Sequence, residues 1–170
     1  MKRRALMLFL ILLGALLQQL LPGISLLGGM KPPILGAMAL FHALHKGTPD
    51  LWIAVFFAAL LQDGLSGGSF GPALLSFPAL SLLIYRVRSE IFTDSLVTQM
   101  VVGALMGFCT AFAIGVFHSA LGQLSVEPRL VFIRLFGALL LGLVTQPVVA
   151  RVLLRTEALI PKWREARRWL

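Results

Sequence analysis

The stretch LWIAVFFAALLQDGLSGGSFGPALLSFPALSLLIYR, residues 51–86, decides how this chain is built. Residues 51–62 carry no charge, Asp63 follows, and residues 64–85 again carry none. Between the two apolar halves lie Gly64, Gly67, Gly68, Gly71 and Pro72. Each glycine inside a helix costs about 1 kcal/mol relative to alanine and a proline about 3 kcal/mol. The reading is therefore two apolar helices, over 51–65 and 70–86, with Pro78 at the centre of the second and an irregular break between them. Broken backbone within an apolar segment must be buried in protein or line a wet cavity.

The same pattern extends in both directions. Residues 5–30, 32–45, 95–126 and 135–150 are also free of charge, so little sequence is left for a domain outside these runs. Of the 170 residues, 58% are hydrophobic and 13% charged, with mean hydropathy +0.91. A soluble domain has about a quarter of its residues charged and just under half apolar. The composition is that of an integral membrane protein and argues against a soluble enzyme, a secreted disulfide scaffold and a nucleic-acid-binding module. The single Cys109, within an apolar run, reads as a small buried hydrophobe.

Crossing about 30 Å of hydrocarbon takes about 20 helical residues, or about 17 where the helix is upright. Six short spans fit, over residues 5–27, 30–46, 51–65, 70–86, 96–118 and 130–154, followed by a basic tail over 155–170. The N-terminal run is too long for a signal peptide and lacks a small-residue cleavage site. Pro32 and Pro33 suit the first turn of the second span, and Pro147 bends the sixth.

Six spans put both termini on one side. That side then holds Lys2, Arg3, Arg4, Lys46, Arg86, Arg88, Arg151, Arg155, Lys162, Arg164, Arg167 and Arg168, leaving only Lys31, Arg129 and Arg134 of the 15 basic residues on the other. By the positive-inside rule both termini are expected in the cytoplasm. A five-span alternative, with a re-entrant loop within 51–85, separates Arg86 and Arg88 from the N-terminal cluster.

Asp63 is the one acid deep in an apolar segment, and an intramembrane carboxylate invites a functional reading. It braces the break by accepting backbone N–H groups, serves ligand or proton chemistry, stands as a simple interfacial residue, or pairs with Arg134, which lies toward the same side. Arg134 otherwise snorkels to the headgroups. Gly103, Gly107, Ala111 and Gly115 form a small-residue ridge at spacing four, a surface for close helix packing within the chain or against a partner's membrane helix. Ala138, Gly142 and Ala150, with Gln146 in line, form a similar row in the sixth span.

Gln18 and Gln19 suit hydrogen bonding between helices. His42, His45 and His118 do not have the spacing of a metal site, and no motif supplies a nucleophile with a base, so neither metal, cofactor nor catalysis is expected. In the tail, Trp163, Ala166 and Leu170 share a face flanked by Lys162, Arg164, Arg167 and Arg168. Together with Trp169 they suit contact with an anionic leaflet or a cytoplasmic partner.

The run Leu60-Leu61-Gln62-Asp63-Gly64-Leu65-Ser66-Gly67-Gly68-Ser69-Phe70-Gly71-Pro72-Ala73-Leu74 resembles the signature of the rod shape-determining MreD family. There an apolar helix ends in Asp, Leu-Ser-Gly follows within two or three residues, and a Gly opens the next helix. Length, six short spans, cytoplasmic termini and the basic loop at Arg86 and Arg88 are similar too. The resemblance implies a non-enzymatic scaffold in the bacterial inner membrane. It would bind MreC and act with MreB, a RodA-type glycosyltransferase and a class B transpeptidase in peptidoglycan synthesis and cell shape.

Gln62, Asp63, Ser66, Gly67 and Gly71 are the positions carried over. The implied fold is similar to the six-helix substrate-binding component of energy-coupling-factor transporters, which supplies the alternative function, a vitamin-type transporter subunit.

Overall fold

A computed structural model describes residues 2–66, 70–90, 95–122 and 127–159. Among them there are helices and turns but no strand. The helices are α1 (Lys2–Leu20), α2 (Ile34–His45), α3 (Thr48–Leu65), α4 (Pro72–Val87), α5 (Leu96–Ala120) and α6 (Pro128–Leu159). They run alternately up and down, so one end of the bundle gathers Arg4, Lys46, Asp50 and Arg88. The other gathers Gln18, Lys31, Asp63 and Arg134.

Helix α1 stops at Leu20, short of residue 27, because Pro22 disfavours helix in the residue before it. The chain then turns sharply through a 3-10 turn at Ser25–Leu27. Gly28 (φ +68°) and Gly29 (φ +77°) close the turn in the left-handed region that favours glycine. Ile24 N–H donates to the Met30 carbonyl at 3.0 Å, pinching the loop shut. Pro32 and Pro33 precede α2 instead of forming its first turn, and the helix proper begins at Ile34.

Helix α2 has only 12 residues, about 18 Å at 1.5 Å per residue. Every residue from Leu35 to Leu44 is buried. A helix apolar on all sides belongs in a core, and this one is the centre around which the other helices pack. Phe41, Leu40, Leu51, Val55, Phe77 and Met106 fill the space between them. Two helices, α5 over Leu96–Ala120 and α6 over Pro128–Thr156, are long and apolar enough to cross a membrane.

Pro78 and Pro147 both lie inside continuous helices, α4 and α6, and terminate neither.

Helices α5 and α6 cross backbone to backbone. A Cβ on Gly107 would collide with the carbonyl oxygen of Ala138, and one on Gly103 with that of Gly142. Gly142 in turn has no room for a Cβ against the Gly103 carbonyl. At the end holding the N-terminus, Arg4 pairs with Asp50 at 2.8 Å. Arg88 donates to the Lys46 carbonyl at 2.6 Å and stacks on Tyr85.

The outer faces are apolar while polar groups lie within. Phe9, Leu16 and Leu20 on α1, Val97, Val101 and Phe112 on α5, and Phe132, Phe136, Val144 and Val148 on α6 are exposed. Gln18, His42, Asp63, Ser81, Gln99, Thr110 and Gln146 are buried. This is the reverse of a water-soluble surface, where contiguous apolar patches seldom exceed a few hundred Å².

Candidate functional site

The first four N–H groups of a helix have no partner within it. At the start of α4, Gly71 is the N-cap and Pro72 has no N–H to satisfy. The remaining donors turn to a side chain from the preceding helix. Asp63, in the last turn of α3 and 6% exposed, accepts Ala73 N–H on Oδ1 at 2.9 Å. It accepts Gly71 N–H and Leu74 N–H on Oδ2, both at 3.0 Å. One carboxylate thus caps the next helix across the break, where the helix dipole also favours negative charge.

The break itself is shaped for this. Gly71 has φ +129°, in the region that favours glycine, and a Cβ there would stand 3.0 Å from the Phe117 ring. Ser66 donates from its hydroxyl to the Asp63 carbonyl at 3.0 Å. Gly64 and Leu65 are still helical, so the irregular segment begins at Ser66. Gly67 lies outside the described residues.

A second cap stands beside the first. Leu35 N–H, in the first turn of α2, donates to Gln18 Oε1 at 3.0 Å. Gln18 Nε2 then donates to Gln62 Oε1 at 2.7 Å. Gln19 Nε2 reaches the Leu65 carbonyl at 2.5 Å, while Lys31 Nζ donates to the backbone and side-chain oxygens of Gln19 at 3.1 and 3.2 Å. Helices α2, which follows Pro33, and α4, which begins at Pro72, are therefore both capped, from the end of α1 and of α3 respectively, and Gln18–Gln62 joins the caps. The role of Lys31 escaped the sequence reading; its only signal is its isolation between two apolar runs.

The Asp63–Arg134 ion pair does not form. Both oxygens of Asp63 are committed to amides. Arg134 instead lays its stem on Gly28, where a Cβ would come within 2.7 Å of Arg134 Cγ. The only ion pair among the described residues is Arg4–Asp50.

The small-residue ridge also divides. Gly103 and Gly107 are the α5–α6 contact within the chain, but a Cβ at Gly115 would meet nothing within 4 Å. Ala111 and Gly115 line a cavity of about 240 Å³ with Gly28, Gly29, Ile114, His118, Val131, Arg134 and Leu135. The ridge fails there because α6 has small residues at Ala138 and Gly142 but Val131, Arg134 and Leu135 nearer its start.

The three histidines are locally engaged. Each Nδ1 lies 2.7 to 3.1 Å from the carbonyl four residues earlier, at Met38, Phe41 and Ile114. Among the described residues no three His, Cys, Asp or Glu converge as a metal site would need. Gln146 is fully buried, and neither its amide oxygen nor its nitrogen has a hydrogen-bond partner. Lys162, Trp163, Arg164, Arg167, Arg168 and Trp169 lie outside the described residues.

No protein-family model, no curated protein and no solved structure matches this chain.

Proposed function

We propose that this chain is a six-span scaffold of the bacterial inner membrane, of the MreD type, with both termini cytoplasmic. It has no catalytic role and works by binding MreC. The observation that carries this reading is the Asp63 cap on α4. In it, Asp63, Ser66 and Gly71 of the family-like motif form one hydrogen-bonded junction between α3 and α4.

Two features support the membrane setting: the apolar exterior around a polar interior, and the gathering of basic residues toward one end of the bundle. Helix α2, about 18 Å long, then spans where the membrane is locally thin. MreB, a RodA-type glycosyltransferase and a class B transpeptidase are the further members of the proposed complex. Depletion of the protein should turn rod-shaped cells round, and rods that persist through depletion would count against the reading.

The cavity at Arg134 favours a second reading, the substrate-binding subunit of a vitamin-type transporter. At about 240 Å³ it falls below the usual range of small-molecule sites, about 300 to 1,000 Å³, and few polar groups converge there. The scaffold is the better account.

A further inference from the structure

We propose that the cavity between α5, α6 and the 21–33 loop binds the headgroup of an anionic glycerophospholipid, with the phosphate on Arg134 and a headgroup hydroxyl on His118. This rests on the membrane-embedded reading above and adds a ligand to it.

The cavity follows from the small-residue pattern. Helices α5 and α6 touch through Gly103, Gly107, Ala138 and Gly142, then separate where α6 carries Arg134 and Leu135. Gly115 faces open space on one side of the gap, and the Gly28–Gly29 backbone closes another.

The chemistry of its polar groups is specific. The Arg134 guanidinium has neither ion pair nor hydrogen bond among the described residues, and its stem is held against Gly28. Arginine is always charged and forks onto phosphate oxygens. A phosphodiester is anionic at any physiological pH and answers that charge without titrating.

His118 donates Nδ1–H to the Ile114 carbonyl at 2.8 Å, so in the neutral ring Nε2 is an acceptor. It suits a ligand hydroxyl rather than a second anionic oxygen. A glycerol headgroup offers that hydroxyl, whereas a choline headgroup has no donor. The walls at Ala111, Ile114, Val131 and Leu135 are apolar, as an adjoining acyl chain requires.

Depth agrees with this placement. Arg134 is six residues into α6, about 9 Å along its axis, and His118 is two residues from the end of α5. In the six-span topology both lie just below the outer headgroups, within reach of a lipid entering sideways.

The test is competitive lipid retention by native mass spectrometry, on protein purified from membranes and exchanged into equal mixtures of phosphatidylglycerol and phosphatidylcholine. The wild type should retain phosphatidylglycerol at least about fivefold over phosphatidylcholine, a preference of about 1 kcal/mol, and Arg134→Gln should lose retention of both lipids, since both carry the phosphate. His118→Phe should bring the ratio of the two lipids toward one, whereas Arg129→Gln should leave both retention and ratio unchanged.

If Arg134→Gln does not accumulate, Gly115→Leu, which fills the cavity from open space, decides the matter by the same loss. Equal retention of the two lipids by the wild type overturns the proposal. So does displacement of the lipid by millimolar inorganic phosphate, which would mark a small-anion site. Release of the wild type from alkaline-washed membranes overturns the membrane reading as well, so the two failures are told apart.

Discussion

Gln18 and Gln62 meet at 2.7 Å, side chain to side chain, at the point where two helix caps lie next to each other. Gln18 holds the start of α2 through Leu35, and the residue after Gln62 holds the start of α4. The four N-terminal helices are thereby tied at one end by buried Gln18 and Asp63 and half-buried Gln62. Such networks are strong when every member is satisfied.

Asp63 should tolerate loss of charge better than loss of oxygen. Asp63→Asn keeps one acceptor, which can serve Gly71 and Leu74, and gives up the bond to Ala73. Asp63→Leu strands three N–H groups, each costing about 1 to 3 kcal/mol if left unpaired. In detergent melts Asp63→Asn should lose a few degrees and retain rod-shape complementation, while Asp63→Leu should fail to accumulate. Rounded cells from Asp63→Asn at normal protein level would show that the charge itself matters. Because Arg134 does not pair with Asp63, adding Arg134→Leu should not rescue Asp63→Leu.

The ridge on α5 should respond by position. Gly107→Ala drives a methyl group into the Ala138 carbonyl, and Gly103→Ala does the same at Gly142. Overpacking of this kind costs about 1 to 3 kcal/mol, so both variants should melt earlier and Gly107→Leu should not accumulate. Gly115→Ala should match the wild type. Equal melting of Gly107→Ala and Gly115→Ala would contradict the backbone contact.

Gln146 should be better replaced than kept, as far as stability goes. Its buried amide has no partner, and an apolar isostere removes that penalty. Gln146→Met should melt at or above the wild-type temperature. A clear fall would mean that the amide holds a partner in the membrane.

The proposed topology makes Gln123→Cys accessible to an impermeant thiol reagent from outside the cell, with a reporter at Leu170 active only in the cytoplasm. Labelling of Gln123→Cys from the cytoplasmic side alone would rule out six spans.

Much of the bundle was legible because long charge-free runs leave helices as the only economical structure, and because glycines with Pro72 mark the break. The capping use of Asp63 was legible for the same reason, since a carboxylate just before a helix start has N–H groups within reach. What could not be read was which apolar face is inside. Helix α2 is as apolar as a lipid-facing segment, yet it is the buried centre, and only its 12-residue length hints at that. The Asp63–Arg134 pair failed because equal depth along two helices does not imply proximity. The division of the Gly103–Gly115 ridge depended on residues of α6 whose register against α5 no local pattern fixes.

The scaffold reading is tested most directly by affinity purification of the tagged protein from gently solubilised membranes, with the recovered proteins identified. The account predicts MreC together with a class B transpeptidase or a RodA-type glycosyltransferase. It also predicts that Arg134→Gln, which alters only the cavity between α5, α6 and the 21–33 loop, recovers them equally well. Recovery of an ATPase pair with a transmembrane coupling subunit, and no MreC, would contradict it and assign the chain to transport.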